Sequence, residues 1–137
     1  MRTKLSIISL LLLLFAQGCR DHNTYMQERT FRQIKTISPN AEGMLIYYFD
    51  GDCSMCLAKV KAIEQFARRG HSEFTPVFIA KTTNPKGMRF NLAQLHITTP
   101  VYEEQNNEFE RSITFNTVTQ VDHKRVITTF NEEQIAL

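Results

Sequence analysis

Cys53 and Cys56 form a Cys-x-x-Cys pair at the point where a continuously apolar run ends and an amphipathic run begins, and no other feature constrains this chain as tightly. Before the pair, Met44-Leu45-Ile46-Tyr47-Tyr48-Phe49 is apolar without interruption, as expected of a short parallel strand covered on both faces. After it, Leu57, Val60, Ile63 and Ala67 recur at helical spacing, and Arg68-Arg69-Gly70 closes the run with cations in the last turn and a glycine at the cap. This predicts a helix that starts at Cys53. Unpaired backbone N–H groups and the helix macrodipole favour an anion there, which lowers a thiol pKa from its free value of about 8.5. Cys56 falls one turn inside, within reach of a disulfide with Cys53.

Three chemistries suit such a pair: redox cycling, a structural disulfide and a metal site. A zinc site wants a second Cys or His pair at close spacing, and here His22, His71, His96 and His123 are scattered singly. No metal ligand set is therefore assigned, and the histidines read as surface or satisfied residues. The aromatic residues Tyr47, Tyr48, Phe49, Phe66, Phe74 and Phe78 read as core.

The N-terminus bears on the compartment. Arg2 and Lys4 make a short positive region, residues 5–15 are almost wholly apolar, and Ala16-Gln17-Gly18-Cys19 follows. That apolar run of about eleven residues is too short to span a membrane, which takes roughly twenty. The pattern resembles a bacterial lipoprotein signal over residues 1–18, which implies cleavage before Cys19 and acylation of that cysteine. It departs from the usual motif in carrying Ala16 where leucine is common. An ordinary secretory peptide with Cys19 present by coincidence is the other reading, and both imply export. Outside the cytosol disulfides form and persist, and with Cys19 lipidated Cys53 and Cys56 are a matched pair. About 119 residues then remain, enough for one small domain with a single core. Net charge is +2, and no basic run is interleaved with aromatics, so nothing points to nucleic acid.

Residues 19–43 read as a polar tether with a short helix or strand, and Ser38-Pro39-Asn40-Ala41-Glu42-Gly43 as the turn before the core strand. Residues 44–137 read as the domain proper. Within it, residues 74–80 predict a second strand with Pro76 near its start. Asn84-Pro85 predicts an N-cap and first helical residue, and Met88, Leu92 and Leu95 mark one face of the helix that follows. Strand, helix, strand, helix implies a parallel sheet. Val101-Tyr102 is a brief apolar pair. Residues 117–130 predict a terminal hairpin turning at Asp122-His123-Lys124, and Asn131-Glu132-Glu133 resembles a helix start. The fold class is α/β, a mixed central sheet with flanking helices.

On the strand Leu45-Ile46-Tyr47-Tyr48-Phe49, the segment Asp50-Gly51-Asp52-Cys53-Ser54-Met55-Cys56 and the helix after it, residues 45–130 resemble the thioredoxin fold. More narrowly they resemble the membrane-anchored TlpA-type thiol-disulfide oxidoreductases. The resemblance implies a nucleophilic Cys53 and a resolving Cys56 that cycle between dithiol and disulfide. It implies no bound cofactor. Three departures stand out. Asp52 replaces the tryptophan that usually precedes the first cysteine, and the chain has no tryptophan. The buried carboxylate that some thioredoxins carry on the preceding strand falls at Tyr47, which removes that proton relay. The cis-proline that faces the dithiol falls at Asn116 if the terminal hairpin is aligned, or at Pro100 if distance from the dithiol is used. The polar stretch Val101-Tyr102-Glu103-Glu104 favours the Asn116 register.

The expected activity is thiol-disulfide exchange on a protein or small-molecule disulfide, in the bacterial cell envelope, on a membrane reached through acylated Cys19. Asp52 is expected to disfavour the Cys53 thiolate, and so to give a reducing poise. The alternative is a lipid-anchored binding module that keeps the fold and offers its thiolates to copper(I) or a partner protein.

Overall fold

The computed structural model of the chain describes residues 24–70 and 73–135, so the apolar run at residues 5–15, Cys19, His22 and His71 lie outside the described residues. In chain order the elements are β1 (Thr24–Tyr25), α1 (Glu28–Ile37), β2 (Met44–Asp50), α2 (Ser54–Arg68), β3 (Thr75–Lys81), α3 (Pro85–Gln94), β4 (Val101–Glu103), β5 (Val118–Val121), β6 (Val126–Thr129) and a short 3-10 turn, Glu132–Gln134. The strands form a six-stranded sheet in the order β1-β6-β5-β2-β3-β4. The pairs β2–β3 and β3–β4 are parallel, whereas β2–β5, β5–β6 and β1–β6 are antiparallel. This is the mixed sheet with flanking helices that the sequence predicts.

The unbroken apolar run of β2 has its reason in the two layers around the sheet. Alternate side chains go to opposite faces: Leu45, Tyr47 and Phe49 join one buried cluster, and Met44, Ile46 and Tyr48 join the other. On β3 the same alternation sends Phe78 and Ala80 to the first cluster and Val77 and Ile79 to the second. The first cluster is closed by Leu57, Val60 and Ile63 of α2, Met88 and Leu92 of α3, and Phe130 and Ile135 from the chain end. The second is closed by Ile34 of α1 with Met26, Phe109 and Ile113. Pro76 opposes Leu45 near the start of β3, as its missing N–H requires. β4 is the sheet edge, where the half-buried Glu103 is tolerated.

Residues 24–43 do more than tether. β1 adds a strand outside the terminal hairpin, and α1 lays Thr30 and Ile34 into the second cluster, with Phe31 and Ile37 at its margin. One narrow stripe suffices to cover that face, so the segment is polar overall although it belongs to the core. Arg125 sits 4.1 Å over the Phe31 ring and pairs with Glu28, which ties α1 to the hairpin.

α2 ends as its sequence predicts: the Arg69 N–H donates to Gln65 and Phe66 carbonyls, and Gly70 follows at φ 108°, a conformation that glycine adopts without a Cβ penalty. α3 begins on Asn84, whose side chain accepts from the Gly87 N–H at 3.0 Å.

The helix-bearing side is braced by Glu64 of α2, which is 1% exposed. Its Oε1 accepts from the backbone N–H groups of Thr98 (2.9 Å) and Thr99 (2.7 Å) and from both hydroxyls, so the α3–β4 connection hangs on one carboxylate. Burial raises the Glu64 pKa, but the Thr99 and Thr98 donors outweigh it and the net displacement is downward. Stability contributed by such a group is fully present above its ordinary value of about 4.5 and is lost as pH falls through the lowered native value. Glu64→Gln should cost about 1–3 kcal/mol at neutral pH. In urea unfolding, the gap between variant and wild type should shrink as the pH is taken below the ordinary carboxylate range.

Candidate active site

β2 ends at Asp50, and the chain turns through Gly51 and Asp52 into α2. The Gly51 N–H donates to the Lys81 carbonyl (2.8 Å), and the Cys53 N–H to the Asp50 carbonyl (3.3 Å), so the turn is clamped to both parallel strands. Gly51 is buried where a Cβ would come within 2.5 Å of Met88 Sδ and 3.0 Å of Thr82 Cβ, a close approach that only glycine allows without displacing its neighbours.

Cys53 is the N-cap residue of α2. The Cys56 backbone N–H donates to Cys53 Sγ at 3.2 Å, so the sulfur occupies the acceptor position of a helix cap. Cys53 and Cys56 are joined as a disulfide with Cα atoms 5.2 Å apart. They differ in access: Cys53 is half-buried, while Cys56 is 9% exposed and belongs to the first cluster. Between them Met55 stands 78% exposed.

Asp52 is placed quite specifically. Its carboxylate accepts from the Thr82 hydroxyl, the Thr83 N–H (2.8 Å) and the Thr83 hydroxyl (2.6 Å), with the Asn84 N–H at 3.4 Å. These are the residues just before α3, so Asp52 belts the dithiol turn to the N-terminus of a second helix. The Thr82 hydroxyl and then the Thr83 donors lower its pKa to about 2. Asp52 is therefore exposed but tied, with both carboxylate oxygens engaged by the segment before α3.

Opposite the dithiol lies Asn116, in the loop before β5, at φ 58°. That is a left-handed conformation in which asparagine is among the least disfavoured non-glycine residues. Its N–H donates to the Tyr48 carbonyl (2.7 Å), its Oδ1 accepts from the Asp50 N–H (3.3 Å), and Cys56 Sγ is 3.9 Å from the same oxygen. Of the two registers open in the sequence, the structure brings Asn116 to the dithiol. Pro100 needs correction as a candidate cis-proline: among the described residues no peptide bond is cis, so Thr99–Pro100 is trans. Pro100 is exposed and leads into the edge strand β4, and the Thr98 and Thr99 backbone ahead of it is committed to Glu64.

On the Cys56 side a groove of about 470 Å³ opens, lined among others by Tyr47, Met55, Cys56, Lys59 and Asn116. Tyr47 is 1% exposed, and burial, with the charges of Glu132 and Asp50, pushes its hydroxyl up to about 12. Lys59 Nζ lies 5.0 Å over the Tyr47 ring and is ion-paired with Glu132. On the other side of the turn, Phe115 is 42% exposed and packs edge-on against Tyr48 with ring centroids 4.9 Å apart.

Cys53, Cys56, Asp52 and Tyr47 are legible as neighbours in the sequence, which leaves Asn116 and Pro100 both open; Lys59, Glu132, Thr82, Thr83 and Phe115 are not singled out there. Lys59 was accessible, since position i+3 from Cys56 shares its helix face. Glu132 and the two threonines reach the site only through the tertiary fold. His96 and His123 are exposed and stand outside this arrangement. Among the described residues no group of three or more His, Cys, Asp or Glu side chains is placed to hold a metal ion.

No family model matches the chain, and no curated protein matches it. Solved structures do. A thiol:disulfide interchange protein of the thioredoxin family from Chlorobium tepidum TLS is 18% identical, with a TM-score of 0.56 over 69% of this chain and 72% of that one. A secreted disulfide oxidoreductase from Mycobacterium tuberculosis is 14% identical, with a TM-score of 0.55 over 69% and 72%. The exposed lipoprotein thioredoxin of Streptococcus pneumoniae strain TIGR4 is 14% identical, with a TM-score of 0.50 over 72% and 84%. The chain is similar to these in fold, and the fold is thioredoxin-like.

Proposed function

We propose that the protein is an exported thiol-disulfide oxidoreductase, anchored to a membrane of the bacterial envelope through acylated Cys19 and reducing in poise. The observation that carries this reading is the Cys56 N–H directed at Cys53 Sγ at the start of α2. A sulfur in that position gains stabilisation as thiolate from the helix N-terminus, while its partner waits buried one turn away. The likeness in fold to a secreted oxidoreductase and to an exposed lipoprotein thioredoxin supports both the chemistry and the compartment. Attachment is assigned to Cys19 from the signal-like pattern of residues 1–19.

In the reducing direction the Cys53 thiolate attacks one sulfur of a substrate disulfide, and the other substrate sulfur leaves as a thiolate and takes a proton from water. Cys56 loses its proton and attacks Cys53 Sγ. The Cys53–substrate bond breaks, the second substrate thiolate departs, and the Cys53–Cys56 disulfide holds the two electrons' worth of oxidation. The exposed Met55 and Phe115 flank the turn and offer apolar contact to a protein substrate.

The poise follows from charge. Held at a pKa of about 2 by its threonine donors, Asp52 stays ionised at any working pH. A permanent negative charge beside Cys53 works against its thiolate. A less stable thiolate leaves the disulfide relatively more stable, hence a lower reduction potential.

Three experiments test the parts separately. Cys56→Ser should accumulate mixed disulfides through Cys53 and lose insulin reduction, whereas Cys53→Ser should trap none; equal trapping by both variants would reverse the assigned roles. Asp52→Asn should lower the Cys53 pKa by a fraction of a unit and raise the potential measured against glutathione, and an unchanged potential would leave Asp52 as a purely structural tie. Cys19→Ser should release the protein from membranes or block its processing, and an unmodified Cys19 in the mature protein's mass spectrum would remove the anchor from the proposal.

A further inference from the structure

The resolving step needs Cys56 as a thiolate, and Cys56 is the buried member of the pair. Burial among apolar side chains opposes ionisation of a thiol. The helix N-terminus that serves Cys53 is already capped by that sulfur. Some other group has to favour charge on Cys56.

The charged and titratable groups around Cys56 come from four elements. Lys59 and Lys61 stand on α2, Tyr47 and Asp50 on β2, Glu132 on the 3-10 turn, and Asp52 on the dithiol loop. Asp52 is committed to Thr82 and Thr83. Lys61 donates to the His96 carbonyl at 3.0 Å and lies 3.7 Å from Glu64. The hydroxyl of Tyr47 is held protonated, so it brings no charge of its own. Lys59 is different. It follows Cys56 by three residues on one helix face and lines the same groove, and its side chain is only 17% exposed. Of its three N–H donors Glu132 takes one, and the Tyr47 ring lies beneath the ammonium at 5.0 Å. Glu132 is itself anchored, because its other oxygen accepts the Val118 N–H at 2.8 Å.

We propose that Lys59 is the counter-charge for the Cys56 thiolate in the resolving step, with Tyr47 and Glu132 as positioning residues that keep its ammonium at the groove; this rests on the redox reading given above. The Cys56 proton leaves to water in the groove, the ammonium stays protonated throughout, and the thiolate then attacks Cys53 Sγ as described. The site thus regains a charge beside the buried thiol although Tyr47 stands where a carboxylate is absent.

The test is the pH midpoint for alkylation of Cys56 by iodoacetamide in a Cys53→Ser background of the full chain, with site occupancy read by mass spectrometry. Lys59→Met should raise the midpoint by about one pH unit, and Lys59→Arg should restore it. Lys59→Gln keeps a polar end for Glu132 without the charge and should raise the midpoint as Lys59→Met does. Lys61→Met should leave it in place. With both cysteines present, Lys59→Met should slow insulin reduction about tenfold near neutral pH and recover as pH rises. An unmoved midpoint in Lys59→Met, or an equal rise in Lys61→Met, would overturn the assignment. Should Lys59→Met fail to fold, Lys59→Gln decides alone: a midpoint that stays or falls would overturn it. A midpoint that tracks Lys59 in a protein unable to reduce insulin would instead sink the redox reading while leaving the counter-charge intact.

Discussion

Two-sided burial of β2 is the constraint from which the rest of the molecule follows. A strand covered on both faces cannot slip by one residue, because both of its side-chain sets are engaged. Tyr47 and Phe49 are locked against α2 and its neighbours, and Ile46 and Tyr48 against the α1 layer. The carboxyl end of β2 is therefore a rigid point in space. The dithiol turn hangs from that end, with the Gly51 N–H on the Lys81 carbonyl and the Cys53 N–H on the Asp50 carbonyl.

From this rigid point two helix N-termini are put to different uses. The start of α2 accepts a sulfur, and the approach to α3 accepts the Asp52 carboxylate. Each arrangement sets an acceptor against backbone N–H groups at or just before a helix start. The carboxylate at α3 stiffens the loop that presents the sulfur at α2, and its charge also bears on that sulfur. Asp52 thus joins mechanical support to an electrostatic effect, and asparagine in its place removes the charge while keeping one of the two acceptor oxygens.

Around Cys56 the balance differs. The neighbours are an apolar floor, a protonated tyrosine, an asparagine oxygen 3.9 Å away and one lysine–glutamate pair. In a partly desolvated setting one nearby cation has more influence than the same cation at the surface. Lys59 is largely shielded by Tyr47 and Glu132, whereas Lys61 is spent on Glu64 and a backbone carbonyl. Two lysines of one helix that line the same groove are therefore not equivalent.

Local order was legible in the residues themselves. The β2 run, the helix start at Cys53, the Gly70 terminus, the Asn84 cap and the hairpin at residues 118–129 follow from apolar periodicity and from residues whose backbone preferences act within a turn or two. Relations across long stretches of chain were not. Residues 19–43 read as a polar tether with a short helix or strand, because α1 contributes only a narrow stripe to a face that Met26, Phe109 and Ile113 also cover. Pro100 stayed a candidate because spacing along the chain cannot distinguish an edge strand from a loop facing the dithiol. Asp52 read as a free charge because Thr82 and Thr83, thirty-odd residues away, meet it only once β2 and β3 pair in register. Glu132 reaches Lys59 across 73 residues. The sequence by itself determined which segments form strands and helices and that two cysteines share a helix start, because those choices rest on short-range backbone and hydrophobic preferences. Only the tertiary structure decided which charges surround each sulfur, because electrostatic neighbours are set by distance in space and the chain reaches them by closing long loops.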